Sequence, residues 1–173
     1  QIEEINGIDV KNLEKYLNSI LKICEIVSNQ KMKLVIKLHP TLDILDISKT
    51  IQKKFPNIQV IEKGDINPLI RKCSCLIVTG FSTVIVQGQI LQKPVISIPL
   101  IDYNWGKPSV YTENSCLLIK LEELNTNLKK IHNDPNFKDE LIRSGNKFLN
   151  NCFKNKHDSS KVIWDYIKNM SIN

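Results

Sequence analysis

From Val10 to Asn29 the positions Leu13, Leu17, Ile20, Cys24 and Val27 recur at helical spacing, which predicts an amphipathic helix. The apolar-rich run Leu34-Val35-Ile36-Lys37-Leu38 then predicts a strand over Lys33–Leu38, closed by His39-Pro40. A helix is expected from about Asp43 to Phe55, with Leu45, Ile51 and Phe55 on one side, followed by a short strand, Ile58–Ile61. Gly64-Asp65 turns the chain into a short helix, Asn67 to Lys72. Strand Cys75–Val78 leads through Thr79-Gly80 into a helix read as Ser82–Leu91, and Lys93-Pro94 opens strand Val95–Ile98. Leu100 to Tyr111 reads as a long irregular loop. A last strand, Cys116–Ile119, precedes helices near Leu121–His132, Pro135–Cys152 and Ser159–Met170. Strands that are mostly apolar and alternate with helices predict an α/β domain, with a parallel sheet covered by helices on both faces. Without a repeat or a low-complexity linker, residues 1–173 read as one domain.

Composition narrows this picture little. The chain has 173 residues, 42% hydrophobic and 24% charged, the balance of a globular domain with a sizeable core. No apolar run reaches the roughly 18 residues of a membrane span, and the first thirty residues read as a polar amphipathic helix rather than a signal peptide. Because the chain opens on Gln1 rather than methionine, a piece of a longer protein is expected. A net charge of +6 favours anionic partners, with a lysine-rich solvated surface as the equal alternative. Aromatic residues make up 6% and are not interleaved with Lys or Arg, which argues against nucleic acid as a partner. Five cysteines include no zinc spacing, so no metal site is expected, and they read as small buried residues of a reducing compartment.

The candidate chemistry gathers where strands end. In an open parallel sheet, ligands sit outside the carboxyl ends of the strands, which is where His39, Thr79 to Thr83 and Leu100 to Tyr111 fall. His39 can donate to a phosphate oxygen or act as acid or base near neutral pH, and Pro40 biases it toward extended geometry. Ser82 or Thr83 at a helix start can cap the helix or leave N–H groups and the helix dipole for a phosphate, and Gly80 lets the backbone bend and approach closely. Lys156, Ser159 and Ser160 precede the last helix. There Asp158 or Ser159 as N-cap is the simpler reading, and an anion site the rarer one. Trp105 and Tyr103 serve either as a stacking wall or as loop anchors, and His132 reads as inert on a polar face.

Four segments, Lys37-Leu38-His39-Pro40, Asp65 to Ile70, Thr79-Gly80-Phe81-Ser82-Thr83 and Leu91-Gln92-Lys93-Pro94-Val95-Ile96, resemble the C-terminal half of GT-B glycosyltransferases. The likeness is to the CDP-glycerol glycerophosphotransferase, capsule polysaccharide and bacterial polysialyltransferase group, through His39-Pro40 and Ser82-Thr83, and it spans roughly residues 10 to 170. It implies a Rossmann-like three-layer domain, one half of a GT-B fold, that binds a nucleotide-activated sugar or CDP-glycerol without a metal or other cofactor. In that case His39, Gly80, Ser82, Thr83, Lys156, Ser159 and Ser160 would contact the donor, and His39 would assist leaving-group departure as the catalytic residue. Other expectations follow from the resemblance. They are a transferase building a surface polymer, a cytoplasmic location at the inner membrane face with peripheral membrane contact, and an N-terminal acceptor-binding domain beyond this chain. That domain usually carries the catalytic base, so this chain alone would hold an incomplete active site. Gln1–Ile8 is too polar and short to supply the strand that usually opens such a domain.

Two alternatives stand beside this reading. A UDP-N-acetylglucosamine 2-epimerase-like domain would share the half-fold and the Lys93-Pro94-Val95 strand entry, but Asp43, Asp102 and Glu113 are poorly arranged around a sugar. A non-catalytic nucleotide- or glycan-binding module is the other.

Overall fold

The computed structural model describes residues 4–5, 8–39, 46–100, 108–153 and 158–170. In chain order the elements are β1 (Glu4–Ile5), β2 (Ile8–Asp9), α1 (Val10–Asn29), β3 (Val35–Lys37), α2 (Ile47–Lys54), β4 (Gln59–Ile61), α3 (Asn67–Lys72) and β5 (Leu76–Val78). They continue as α4 (Val84–Ile90), β6 (Val95–Ser97), α5 (Ser109–Thr112), β7 (Leu117–Leu118), a 3-10 turn (Leu121–Glu123), α6 (Leu124–Asn133), α7 (Pro135–Cys152) and α8 (Ser159–Met170).

The strands β3 to β7 are two or three residues long and all pair in parallel. They form two hydrogen-bonded sets, β3–β4 and β5–β6–β7, where the sequence predicts a single sheet. No ladder joins β3 to β5, so packing rather than hydrogen bonding unites the sets. The period of two along the strands shows how. Leu76 and Val78 of β5 and Val95 of β6 belong to one apolar core, with Ile85 and Val110 and with Phe148 of α7. Cys75, Ile77, Ile96 and Ile98 turn to a second core, shared with α1, α2, α6, Ile36 of β3 and Val60 of β4. Helices therefore cover β5 and β6 on both faces, as near-continuous apolar strands require. β6 is buried at all three positions, the central place in the set.

Two glycines have steric reasons. Gly64 has φ 105°, which lets the chain turn tightly after β4. Gly88 lies where α4 presses on the strands. A Cβ there would come within 2.7 Å of Leu76 Cδ2 and 2.8 Å of Val95 Cγ2.

The structure revises several boundaries. The expected helix from Asp43 begins at Ile47, and it buries Ile47, Ser48 and Ile51; residues 43–45 lie outside the described ones. The expected helix from Ser82 begins at Val84, because Ser82 and Thr83 form the turn that leads into it. Ser109–Thr112 coils into a helical turn inside the predicted loop, and Leu121–Glu123 is a 3-10 turn rather than α-helix. The polar start Gln1–Ile8 contributes two residues of β1, which pair antiparallel with β2 and stand apart from the parallel strands.

Burial of the cysteines is uneven. Cys24 and Cys116 are buried, Cys73 and Cys75 half-buried and Cys152 exposed, so burial is not common to all five. Burial pushes the Cys24 thiol up to about 11 and the Cys75 and Cys116 thiols up to about 12. In the unfolded chain these thiols ionise near their ordinary value of 9.0. The folded form thus holds protons that the unfolded form loses, and the stabilisation is intact below pH 9 and declines as pH rises toward 11. Urea melts across that window should show stability falling on the order of several kcal/mol, and Cys24→Ala with Cys116→Ala should flatten the fall.

Candidate functional site

Hydrogen bonding along β3–β4 sets the first half of the site. After Lys37 the ladder continues by one bond, from Leu38 N–H to the Ile61 carbonyl. The Lys37 ammonium then donates to the carbonyls of Leu38 and Glu62, both at 2.9 Å, which ties the ends of β3 and β4 together. Leu38 is buried and His39 is exposed, so the chain leaves the core between them. Pro40 lies outside the described residues.

β5 supplies the second half. Beyond Val78 the backbone pairing persists, with Ile98 N–H on the Val78 carbonyl at 2.8 Å and Leu100 N–H on the Thr79 carbonyl at 3.3 Å. The loop Thr79–Thr83 follows. The Ser82 hydroxyl accepts from Val84 N–H at 3.2 Å and the Ser82 carbonyl from Ile85 N–H at 3.1 Å. Two N–H groups of the first turn of α4 are thereby already used. This corrects the expectation of a helix start left open to a ligand. α4 is seven residues long, so its dipole is also small. Bonded in this way, the Ser82 hydroxyl keeps its own O–H to donate. Thr83 makes no side-chain cap bond. The chain bends at Gly80, as expected, without a left-handed backbone, and among the described residues a Cβ built there meets nothing within 4 Å.

Tyr16 relates the two halves. A short turn joins the end of α1 to β3, and Tyr16 of α1 shares a buried core with Leu38, which follows β3. The Tyr16 hydroxyl lies 3.1 Å from Thr79 Oγ1, at the carboxyl end of β5. One core thus holds Tyr16 and the residue before His39, and the Tyr16 hydroxyl reaches the residue that opens the Thr79–Thr83 loop, although no ladder connects β3 to β5. Sequence reasoning passed over Tyr16 because it falls among the core positions of α1, between Leu13 and Ile20.

A second support went unread. The Ser97 hydroxyl, fully buried, pairs with the Tyr111 hydroxyl at 2.8 Å. Burial pushes Tyr111 up from its ordinary value, with the Ser97 bond acting in the opposite sense. The Tyr111 ring packs edge-on against Phe81, 6.2 Å between centroids. Phe81, beside Ser82, remains 47% exposed, an unusual position for a large apolar ring. The signal for Tyr111 was its place just after Pro108-Ser109, where the chain re-enters the core at Val110.

The remaining expected residues are partly outside the described part of the chain. Lys156, Tyr103, Trp105, Asp43 and Asp102 lie outside the described residues. Ser159 and Ser160 open α8, exposed. Glu113 caps the C-terminus of α5 and is exposed. Among the described residues no cluster of His, Cys, Asp and Glu has the makings of a metal site. His132 borders a cleft of about 780 Å³ between the last turns of α1 and α6, with Lys22, Lys31 and Lys129. The described residues that line that cleft include none of the strand-end site.

The groups at these two strand ends are an exposed imidazole, two hydroxyls and a bend at Gly80 beside a braced aromatic ring, donors of the kind that an anion requires. No protein-family model matches this chain, and a search of curated protein sequences finds no match either.

Proposed function

We propose that this chain binds the phosphate end of a nucleotide-activated donor at the carboxyl ends of β3 and β5. In this reading it is the donor half of a GT-B-type glycosyltransferase or glycerophosphotransferase that builds a surface polymer. The observation that supports the proposal is the Tyr16–Thr79 bond, which holds α1, packed in one core with the Leu38 that precedes His39, against the start of the Thr79–Thr83 loop. Two further features support it. Ser82 and Thr83 have hydroxyl protons to donate, and no described residue fills the space a Cβ on Gly80 would occupy. Ligand binding at strand carboxyl ends is the general habit of parallel α/β domains.

Chemically, the departing nucleotide carries new negative charge on its terminal phosphate. His39 and the loop donors meet that charge with fixed dipoles, which lowers the barrier to departure without a metal. The imidazolium form of His39 can also hand a proton to the leaving oxygen. The acceptor and its base belong to the N-terminal domain that the GT-B reading requires.

Calorimetric titration with CMP, CDP, UDP and GDP tests this. One nucleotide should bind, and His39→Ala and Ser82→Ala should each weaken it about tenfold, the loss of one charge-assisted hydrogen bond. Binding indifferent to both substitutions would sink the proposal. Binding with no turnover once an acceptor domain is supplied would instead favour a non-catalytic module.

A further inference from the structure

α8 is amphipathic, and its described residues are all exposed. Val162, Ile163, Tyr166 and Met170 stand 45%, 58%, 65% and 61% exposed and fall on one face at the 3.6-residue period. Trp164, 56% exposed, lies about 100° on from Ile163, at the border of that face. Lys161 and Lys168 sit three residues before and four after it, on the same side, and the Lys168 ammonium lies 5.2 Å from the Trp164 ring.

We infer that α8 lies in the interface of an anionic lipid bilayer, with Val162, Ile163, Tyr166 and Met170 toward the acyl chains. Two observations favour lipid over a protein groove. A protein partner takes tryptophan as a central anchor in a desolvated pocket. Here Trp164 is at the border between apolar and polar faces, flanked by lysines, which is the headgroup-level position of an interfacial helix. Charge is the second. Over residues 154–170, Lys154, Lys156, Lys161 and Lys168 outnumber Asp158 and Asp165, on a chain of net charge +6. Such lysines are drawn to anionic headgroups while their stems cover apolar surface. The assignment is independent of the donor-site proposal.

Co-sedimentation of the full chain with phosphatidylcholine vesicles, with and without phosphatidylglycerol, tests it. Binding should require phosphatidylglycerol and weaken with added salt. Ile163→Ser with Met170→Ser should reduce it about tenfold or more, and Lys161→Glu with Lys168→Glu should abolish the preference for anionic vesicles. These positions are exposed, so the variants should keep the parent's circular dichroism and melting temperature. Three results would each overturn the inference. They are no vesicle binding by the folded chain, binding unchanged in the Ile163/Met170 variant, and concentration-dependent self-association in sedimentation that Ile163→Ser removes.

Discussion

Gly88→Val should destabilise the chain by about 3 kcal/mol, read as a lower urea midpoint with an unchanged slope. The reason is the closeness of α4 to its strands. A Cβ at position 88 already falls 2.7 Å from Leu76 Cδ2 and 2.8 Å from Val95 Cγ2. Leu76 can rotate its methyl away, but Val95 is β-branched, 2% exposed and stiff at χ1, so it cannot. Valine adds two methyl groups to that contact, and α4 must lift from the strands. Gly88→Ala should cost less, about 1–2 kcal/mol, because the helix gains roughly 1 kcal/mol on losing a glycine. A neutral or stabilising Gly88→Val would mean that α4 is not held at this distance. The same displacement would carry the Ser82–Thr83 turn with it, so nucleotide binding is the sensitive second readout.

Ile96→Ala should cost about 4 kcal/mol, and Ile96→Val about 1 kcal/mol. Ile96 is fully buried in β6, paired with Ile77 on one side and Leu117 on the other. It belongs to the core that also holds Leu38 and Ile98. Because no ladder bonds join β3 to β5, that shared core does the joining, and a cavity at Ile96 weakens the link as well as the packing. Domains of this size are stable by only about 5–15 kcal/mol, so Ile96→Ala removes a large fraction. Chemical denaturation of the three chains gives the comparison. An Ile96→Ala loss below that of Ile96→Val would contradict the assignment of Ile96 to the core.

Much of this architecture was legible in the sequence, for reasons that differ by element. α1, α7 and α8 were plain because long periodic segments average out local ambiguity. β3, β5 and β6 announced themselves as apolar runs closed by His39-Pro40, Thr79-Gly80 and Pro99. The start of α4 was misplaced because serine and threonine favour both caps and turns, and here Ser82 folds its hydroxyl onto Val84 N–H to make the turn. The break between β3 and β5 left no trace, since the residue pattern of a strand does not say which neighbour it bonds. At the site, His39 and the loop could be found by their positions after strands. Tyr16 could not, because its hydroxyl acts from a helix face that otherwise reads as core. Tyr111 and Ser97, fourteen residues apart, find each other only through the fold.

The bond between Gln30 and Asn125 spans 95 residues, with the Gln30 amide donating to both the Asn125 carbonyl and its side-chain oxygen. Around it, Ile20, Ile23 and Val27 of α1 share a core with Leu124, Leu128 and Ile131 of α6. During synthesis α6, which packs on α1, is completed about 100 residues after α1. At ribosomal rates of about 5–20 residues per second, the apolar stripe of α1 lacks its α6 cover for roughly 5–20 s. For that interval the nascent chain presents a helix whose core is only part-built, from α2, β3 and β4, and it depends on whatever at the ribosome shields such surfaces. Refolding from denaturant, where the whole chain is present at once, has no such delay, so the protein should be harder to make than to refold.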